Sequence, residues 1–416
     1  MVPRPRLCVG VQDDCDSSAS LMVCQRLVPR LDTPYNVSMR QLYLDYNATT
    51  PIAPSVKEAM LPFLAEHYGN PSSTHALGRA AHEAVEDARG QVAGLLGADA
   101  DEIVFTSGGT ESNNLAIQGA LLHHGRSAGG HVIISAVEHP SVAAPVRFLE
   151  RIGYDVSIVG VTGQGVVQPN AIRSLLRADT VLVSIMHANN ETGAIQPLKA
   201  IAEVCHERHV LLHTDAAQSV GKIRTMVDEL DVDLLTIAGH KVYAPKGIGA
   251  LYIRRGVPLQ PIMHGAGHEA GLRAGTENVP HIVGLGRACS LAAKSLDQSQ
   301  ERLQKLRDGL WNLLQAGVGD DLKLNAQLSP RLPNTLSVSF PEVVGHELLD
   351  RIPELCASTG SACHSESAAV SPTLAAMGVS EPVARGTVRL SLGWFTTEDE
   401  IERAASLLIG AWEALK

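Results

Sequence analysis

The sequence of 416 residues lacks two features that would each point to a particular class of protein. Its longest apolar runs, such as Val132–Ser135 and Val181–Met186, are only as long as strands, whereas a membrane-spanning helix needs roughly 20 apolar residues. It also has no excess of basic residues. The formal net charge is −10, which argues against a broad nucleic-acid surface but leaves room for one local basic pocket. The sequence therefore predicts a soluble protein with no membrane and no nucleic-acid partner.

Paired cysteines are missing as well. Seven cysteines stand at positions 8, 15, 24, 205, 289, 356 and 363, and none forms a CxxC pair or another paired-ligand spacing. We therefore expect no zinc or iron–sulfur site built by this chain alone. An odd, scattered set in a chain of this size is typical of a reduced intracellular protein, and we predict a cytoplasmic location. The open question is whether one of these cysteines is reactive.

The first 38 residues differ in composition from the rest. They hold three of the seven cysteines, three prolines before residue 30, and an acidic cluster at Asp13, Asp14 and Asp16. No apolar core of a signal peptide is present, and the acidic residues argue against a mitochondrial presequence. We interpret residues 1–38 as a disordered leader or as the result of a start codon assigned too far upstream, with Met39 as the true start.

From Leu42 onward, strand-like runs alternate with helical patterns. This alternation predicts an α/β fold with a large, mostly parallel sheet and helices on both faces. The expected strands are Ile103–Thr106, Val132–Ser135, Val156–Val159, Val181–Met186, Val210–His213, Leu234–Ile237 and Ala250–Ile253, and the expected helices include Ala80–Leu96, Ser141–Arg151, Ala171–Arg177 and Leu198–Glu207.

After about residue 295 the pattern changes. A long amphipathic segment, Asp297–Leu314, leads into the strand-like runs Leu332–Phe340 and Thr387–Leu392 and a closing helix at Thr397–Leu415. This order indicates a smaller α+β domain. We expect residues 55–295 to form the large domain, and residues 39–54 together with 296–416 to form the small one.

A glycine-rich segment, Thr106–Asn114, follows the first expected strand. Gly109 lets the backbone approach an anion closely, the start of the following helix offers free N–H groups, and Thr110 adds a hydroxyl. The segment therefore predicts a phosphate site, although an ordinary helix cap formed by Ser and Thr has the same composition.

Two further motifs stand at strand ends, where ligands bind in open α/β sheets. Asp215 can keep a ring nitrogen protonated and Gln218 can donate to an oxygen of the same ring, unless Asp215 only caps a helix. Lys241, beside His240, has the setting of a Schiff-base lysine, although most lysines are solvated surface charges.

A fourth motif, Ser358–Glu366, surrounds Cys363 with small residues. Such a segment predicts an exposed, mobile loop in which a thiol can ionise and reach a substrate, with help from His364; an incidental surface cysteine is the alternative. His139 is placed to stack on a flat ring or pass a proton, and Arg389 to clamp a carboxylate. A histidine at the edge of the core and a surface ion pair are the plain alternatives.

Taken together and in this order, the motifs resemble the cysteine desulfurase family (NifS/IscS-like) and its relative selenocysteine lyase, both aminotransferase-type enzymes that use pyridoxal phosphate. The resemblance covers nearly everything from Tyr43 to the C-terminus. It rests on the motifs above and on Leu44–Pro51, Gly69–Ser73, Met186–Glu191, Arg273–Asn278 and Arg389–Gly393. It implies the fold type I architecture of aspartate aminotransferase, with pyridoxal phosphate in the large domain and the catalytic cysteine loop in the small one.

The resemblance also implies a role for each matching residue. Lys241 would hold the cofactor covalently and move protons at the substrate Cα, and Cys363 would be the nucleophile that accepts sulfur. Asn47, Asn190 and Arg389 would orient the substrate, with Arg389 on its carboxylate. Cofactor contacts would come from Gly109, Thr110, His139, Asn190, Asp215, Gln218 and His240, with Thr276 reaching in from the second subunit of a homodimer.

Two activities remain open on the sequence, together with a catalytically inactive scaffold of the same fold. The expected family pattern has a phosphate-binding serine where this chain has Ala238, so that contact must be missing or replaced. An apolar residue there and the run Ala362-Cys363-His364-Ser365 are also features of selenocysteine lyases. Against that activity, the segment Leu121–His131 lacks the long insertion of animal lyases. We expect L-cysteine as the substrate, with L-selenocysteine as the alternative, and an acceptor or iron–sulfur scaffold protein as the recipient of sulfur.

Overall fold

The computed structural model describes residues 41–124, 130–359 and 370–416. The proposed leader, residues 1–38, and the expected nucleophile Cys363 with its neighbour His364 lie outside the described residues. The strands are β1 (Leu42–Tyr43), β2 (Ile103–Thr106), β3 (His131–Ser135), β4 (Asp155–Val159), β5 (Thr180–Ser184), β6 (Leu211–Asp215), β7 (Leu234–Ala238), β8 (Gly249–Ile253), β9 (Lys323–Leu324), β10 (Thr335–Ser339), β11 (Leu355–Cys356) and β12 (Thr387–Ser391).

The helices surround these strands and several begin with a proline, whose fixed φ suits the first turn. They are α1 (Pro54–Ala65), α2 (Ala76–Leu96), α3 (Gly109–His124), α4 (Pro140–Arg151), α5 (Pro169–Leu175), α6 (Leu198–His206), α7 (Val227–Leu230), α8 (Val279–Val318), α9 (Gly345–Asp350), α10 (Pro372–Ala376), α11 (Glu381–Arg385) and α12 (Glu398–Leu415). None of the helices in these described ranges is long and apolar enough to span a membrane.

A seven-stranded sheet in the order β2-β8-β7-β6-β5-β3-β4 forms the centre of the fold. Strands β3 to β7 pair in parallel, whereas β8 runs antiparallel to both β7 and β2. The prediction of an α/β fold with a mostly parallel sheet is confirmed. The carboxyl ends of β3, β5, β6 and β7 consequently meet at one edge of the sheet, where a ligand can contact several of them.

Successive side chains of a strand point to opposite sides of the sheet, and most strands here bury both faces. The edge strand β4 differs, since its Asp155 and Ile158 are exposed. In β2, Phe105 packs into a cluster with α2 and the first half of α8, while Val104 packs on the other face against α3 and α4. In β7, Leu235 and Leu234 divide in the same way. Helices therefore cover the sheet on both sides, which explains why its strands are nearly continuous runs of apolar residues.

A further apolar cluster lies around the second half of α8. It joins Leu42 and Leu44 to Leu306 and Leu310 of α8 and to the strands and helices that follow, including Leu390 of β12 and Leu408 of α12. A three-stranded sheet, β12-β10-β9, and the pair β1-β11 belong to this region. The predicted boundaries of the large and small domains stay a prediction, although this cluster draws on both segments assigned to the small domain.

Helix α8 is longer than the sequence suggested, since it begins at Val279 and not near Asp297. Its first half carries small residues that let it approach α2 closely. A Cβ added at Gly286 would lie 2.6 Å from the Cα of Ala88, so only glycine fits there. Small residues facing a neighbouring helix give little amphipathic contrast, and this half of the helix was therefore missed.

Candidate active site

Asp215 and Lys241 stand at the ends of two neighbouring parallel strands. Asp215 is the last residue of β6, and Lys241 closes a single 3-10 turn that follows β7 directly. Both side chains line a cavity of about 660 Å³ at this edge of the sheet. That volume is in the range of small-molecule sites, and the cavity wall contains both an amine and a carboxylate.

The amine of Lys241 is held by backbone oxygen atoms. Its Nζ donates to the carbonyl of Asn47 at 2.5 Å and to that of Ala48 at 2.7 Å. The preceding His240 bonds through Nδ1 to the hydroxyl of Thr49 at 3.1 Å. Burial lowers the pKa of His240 to about 4, and the charge of Lys241 acts in the same direction. The imidazole of His240 is therefore neutral at pH 7.

The carboxylate of Asp215 has both oxygen atoms bonded. Its Oδ2 accepts from Nδ2 of Asn113 at 2.8 Å, and its Oδ1 accepts from the backbone N–H of Ala217 at 2.9 Å. Asn113 comes from α3, so this bond ties the end of β6 to the helix that follows the glycine-rich segment. Asp215 is only 7% exposed, and its direction in the cavity is fixed from two sides.

His139 caps helix α4 and is linked to Asp215 through two residues, Ser141 and Asn113. The N–H of Ser141 donates to Nδ1 of His139 at 3.1 Å, and the hydroxyl of Ser141, which accepts from Asn113, lies 2.7 Å from the same nitrogen. Nδ1 is thus an acceptor, which places the proton of the neutral ring on Nε2. Burial lowers the pKa of His139, while the charge of Asp215 opposes that effect.

Helix α3 presents its first turn to the cavity. The helix begins at Gly109, and both Gly109 and Thr110 line the cavity wall. A Cβ added at Gly109 would lie 3.1 Å from the Cβ of Ala238, so the backbone here packs closely on the end of β7. The free N–H groups and partial positive charge of a helix N-terminus suit a phosphate, and His240 lines the same cavity.

The opposite side of the cavity contains Arg389, which comes from β12. Its Nη1 donates to the backbone oxygen of Asn190 at 3.0 Å, and its Nη2 donates to Oδ1 of Asp45 at 2.6 Å. The same oxygen of Asn190 accepts from Nδ2 of Asn47 at 3.2 Å. Arg389 is 3% exposed, so its guanidinium is held in one position facing the cavity.

The chain is similar to characterised families over most of its length. A family model for aminotransferase class-V matches residues 42–404. Cysteine desulfurase IscS of Dictyoglomus turgidum is 45% identical over 379 residues, covering 91% of this chain and 96% of the relative. Cysteine desulfurase IscS of Serratia proteamaculans is 46% identical over 374 residues, covering 88% and 91%. The chain belongs to the aminotransferase class-V family.

Solved structures agree with this class-V assignment. A NifS-like protein superposes with a TM-score of 0.83 at 37% identity, covering 90% of this chain and 99% of that one. SspA in complex with cysteine superposes with a TM-score of 0.76 at 37% identity, covering 85% and 99%. The resemblance stated from the motifs and the fold expected from it are both confirmed.

Ten of the twelve predicted site residues of this class-V chain line the one cavity. They are Asn47, Gly109, Thr110, His139, Asn190, Asp215, Gln218, His240, Lys241 and Arg389. Thr276 does not line it; this residue is exposed in the loop before α8, and its predicted contact with a second subunit stays a prediction. Cys363 lies outside the described residues.

The polar residues near the cavity that the sequence reasoning missed include Asp45, Asn113, Glu138 and Lys222. Two of them, Asp45 and Asn113, belong to segments quoted for other reasons, so an acidic or amide side chain beside each motif was the available signal. Glu138 directly precedes His139, and its Oε1 accepts from the hydroxyl of Ser135 and the N–H of Met186. Lys222 had no signal beyond its position four residues after Gln218.

Enzymes of the class-V aminotransferase and cysteine desulfurase families use pyridoxal phosphate, and the residues of this cavity fit that group. The cavity is lined by the N-terminus of α3, the carboxylate of Asp215, the amide of Gln218 and the amine of Lys241. In addition, Oδ1 of Asn113 is buried and has no hydrogen-bond partner in the described residues, at the point where its Nδ2 holds Asp215. The donor set therefore matches an anionic, flat, carbonyl-bearing cofactor.

Proposed function

We propose that this protein is a pyridoxal-phosphate-dependent cysteine desulfurase. It takes the sulfur of L-cysteine, releases L-alanine and carries the sulfur as a persulfide on Cys363. One structural observation supports the proposal most directly: an amine (Lys241), a carboxylate (Asp215) and a guanidinium (Arg389) face a single cavity. Relatives named cysteine desulfurase, 45–46% identical over most of the chain, support the same activity.

Seven residues would hold the cofactor in this proposal. The N–H groups of Gly109 and Thr110 and the neutral imidazole of His240 take the phosphate, because a helix N-terminus and neutral donors stabilise an anion. Asp215 pairs with the ring nitrogen, and Gln218 donates to the ring oxygen. Lys241 would supply the amine for covalent attachment of the cofactor. His139 would contact the ring, and through Ser141 and Asn113 it is bonded into the same network as Asp215.

The substrate would bind between the cofactor and Arg389. The guanidinium offers donors in a planar fork that matches a carboxylate, and Asp45 and the backbone of Asn190 already fix its orientation. Asn47 supports this arrangement from below, since its Nδ2 donates to the oxygen of Asn190 that also binds Arg389. The α-carboxylate of cysteine is therefore placed before any bond breaks, and orientation of this kind lowers the barrier.

The bound cofactor supplies an electron sink for the negative charge that develops at the substrate Cα. Lys241 would be the general base that takes the proton from that carbon, and catalysis of this type contributes roughly 10²–10⁴-fold in rate. The Asp215 carboxylate would face the ring nitrogen, and its direction is fixed because Asn113 and the Ala217 N–H both donate to it. The carbonyl oxygens of Asn47 and Ala48 mark where the amine of Lys241 rests.

Cys363 would perform the sulfur transfer. Its thiolate attacks the substrate sulfur, a new S–S bond forms, and the Cβ–S bond breaks with its electron pair remaining on the carbon fragment. That fragment takes up a proton and leaves as alanine, so that one cysteine and one enzyme thiol become one alanine and one enzyme persulfide. The persulfide then passes to an acceptor, which we propose to be a protein of iron–sulfur cluster or thiolated-cofactor synthesis.

The assembly and location follow as further parts of the proposal. Thr276 completes the phosphate site of a second subunit, which requires a homodimer. A cytoplasmic protein with no membrane and no nucleic-acid partner fits the composition of the chain. Sedimentation of the active enzyme tests the first point, since an active monomer would contradict the role given to Thr276.

The activity is tested by incubating the protein with L-cysteine and measuring alanine and persulfide sulfur. We expect Cys363→Ala to abolish both products while leaving the yellow colour of the bound cofactor. The matched control is Cys356→Ala, because Cys356 is a partly exposed cysteine of β11 that does not line the cavity. Full desulfuration by Cys363→Ala would contradict the persulfide mechanism.

The same assay separates the two alternatives. The ratio of kcat/KM for L-cysteine and L-selenocysteine decides between a desulfurase and a selenocysteine lyase, and a large preference for selenocysteine would replace the proposal. A catalytically inactive scaffold predicts no visible absorption band with pyridoxal phosphate and no spectral change on adding cysteine.

A further inference from the structure

We infer that Lys222 is a positioning residue that sets the orientation of the Gln218 side-chain amide and thereby aims its N–H donor at the cofactor ring. The inference deepens the proposed function and rests on the cofactor contact given there to Gln218. Lys222 itself does not line the cavity. It lies behind Gln218, and neither the sequence motifs nor the proposed chemistry assigns it a role.

Lys222 is a buried lysine without an acidic partner. It is 7% exposed, and it belongs to none of the ion pairs within the described part of the chain. Its Nζ donates to Oε1 of Gln218 at 2.9 Å and to Oδ1 of Asn47 at 3.2 Å. Burial, followed by the charges of Lys241 and Arg389, lowers its pKa well below the ordinary value. Whether charged or neutral, an amine in this position donates to both amide oxygens.

Those two bonds decide which end of the Gln218 amide faces which way. A primary amide has an oxygen that only accepts and a nitrogen that only donates, so rotating it by half a turn exchanges the two. With Lys222 donating to Oε1, the Nε2 group must point the other way, and it donates to the carbonyl of Asn47 at 3.0 Å. Gln218 lines the cavity with this donor end fixed. A ring oxygen with negative charge needs a donor there and would be repelled by Oε1.

Asn47 is oriented by the same kind of bonds, so the network has one consistent arrangement. Its Oδ1 also accepts from Nδ2 of Asn334 at 3.1 Å, while its Nδ2 donates to the hydroxyl of Thr335 at 2.9 Å. The carbonyl of Asn47 accepts from both Gln218 and Lys241. Lys222 is thus connected to the catalytic lysine only through groups whose directions are all determined.

The backbone before Lys222 brings the side chain into this position. Gly221 has a φ of +74°, in the region that favours glycine, and a Cβ added there would lie 2.6 Å from Cγ2 of Val242. The turn after Gln218 therefore packs directly against the residue that follows Lys241. A side chain at Gly221 would push the Lys222 segment away from the cavity.

A double-mutant cycle on pyridoxal phosphate binding tests the inference. Lys222→Met, Gln218→Met and the double variant are prepared as apoproteins, and the dissociation constant of pyridoxal phosphate and the visible absorption maximum are measured for each. The hydrogen bond from Gln218 to the negatively charged ring oxygen is lost in each single variant. We therefore expect the dissociation constant of pyridoxal phosphate to rise about tenfold to a hundredfold in both. Because both substitutions remove this same contact, the double variant should bind no more weakly than either single variant. All three variants should show the same shifted absorption maximum.

Three controls separate positioning from a general loss of structure. Lys222→Arg keeps N–H donors at this position and should bind pyridoxal phosphate more tightly than Lys222→Met, although its larger, always charged group does not fully reproduce the lysine. Lys199→Met removes an exposed lysine paired with Asp231 and should bind as the wild type does. If Lys222→Met fails to fold, Lys222→Leu replaces it in the cycle, since this shorter apolar side chain also offers no donor to Gln218.

The outcomes that overturn the inference are distinct from those that overturn the proposed function. Binding by Lys222→Met within twofold of wild type, effects of the two single variants that multiply in the double one, or an unchanged absorption maximum would each remove the role of Lys222. A wild-type protein that binds pyridoxal phosphate but releases no alanine refutes the desulfurase and leaves the cycle readable. A wild-type protein that binds no pyridoxal phosphate overturns both.

Discussion

The two sides of the active-site cavity are built by different means. On the cofactor side, Asp215 and Lys241 stand within three residues of the ends of adjacent parallel strands, so the sheet itself places them. On the substrate side, Asn47, Asn190 and Arg389 come from distant parts of the chain and are joined by bonds from side chains to backbone oxygens. The first arrangement depends on many backbone hydrogen bonds, whereas the second depends on a few polar side chains. Single substitutions should therefore disturb the two sides differently.

The largest effect is expected on the cofactor side, where a substitution removes a reacting group and not only a contact that orients one. Lys241→Ala removes the proposed base and the covalent attachment, and we expect kcat/KM to fall by at least about 10²–10⁴-fold. The fold should persist, because strands β6 and β7 do not depend on this side chain. Alanine release and thermal unfolding measured on the same sample check both statements.

Lys241→Arg is the matched control, since it keeps the positive charge but offers no amine for attachment. We expect it to be as inactive as Lys241→Ala. Activity near the wild-type level in Lys241→Arg would show that charge alone suffices and that the assigned base is wrong.

The substrate side is where one side chain should affect stability and binding together. Asp45→Asn removes the ion pair that Asp45 forms with the guanidinium of Arg389, which is 3% exposed. Breaking a buried ion pair from one side typically costs 3–5 kcal/mol; because Asp45 is partly exposed, we expect about 2–3 kcal/mol. We also expect KM for cysteine to rise, since Arg389 loses one of the contacts that orient it.

Asp155→Asn is the control for this variant. Asp155 pairs with Arg177 on the surface, where both side chains are well exposed, and such pairs contribute about 0–1 kcal/mol. Urea unfolding of both variants makes the comparison. An equal loss of stability in the two would mean that the Asp45–Arg389 pair does not hold the substrate side together.

The difference between the two sides also explains what could be predicted from the sequence. Motifs at strand ends carry a local signal, because an apolar run followed by Gly, Asp or Lys is visible in a few consecutive residues. Strand Ile103–Thr106 was predicted to the residue, and Asp215 and Lys241 line one cavity as expected. Bonds between distant segments carry no such signal. Lys222 and Asn47 are 175 residues apart, and only folding brings them together.

Glu138 lies on the cofactor side but was not predicted from the sequence, because its side chain bridges the ends of two strands. Its Oε1 accepts from Ser135 of β3 and from the N–H of Met186 after β5, while Oε2 is buried without a hydrogen-bond partner in the described ranges. Burial raises the pKa of Glu138 from 4.5 to about 8, with the charge of Asp215 acting in the same direction. The folded protein therefore holds a proton there at neutral pH.

The sign of the resulting pH dependence follows from proton linkage. A raised pKa in the folded state means that the folded protein binds more protons than the unfolded chain, so stability falls as pH rises from 4.5 towards 8. His187, His213 and His240 have a pKa lowered to about 4 by burial, and their contribution has the opposite sign, rising up to the ordinary histidine pKa of 6.5. Above that pH only the Glu138 effect remains among these groups.

Glu138→Gln should therefore flatten the pH dependence of stability between pH 6.5 and 8. We expect the free energy of unfolding of the wild type to fall by about 2 kcal/mol more than that of the variant over this window. Urea unfolding at a constant concentration of pyridoxal phosphate provides the measurement. Parallel curves of unfolding free energy against pH for the two proteins would mean that Glu138 is ionised in the folded protein, contrary to its raised pKa.

The smallest effect is expected at Glu191, which joins the substrate side to helix α10. Its two oxygen atoms accept from the hydroxyls of Ser371 at 2.5 Å and Thr373 at 3.1 Å. Glu191→Gln keeps one acceptor and replaces the other by a donor, so one hydroxyl must turn from donating to accepting, and we expect about 1 kcal/mol less stability. Thr373→Val removes the weaker of these bonds and should cost no more. A loss above about 3 kcal/mol in Glu191→Gln would exceed the loss expected for Asp45→Asn. It would mean that the substrate side depends more on the Glu191 carboxylate than on the Asp45–Arg389 pair.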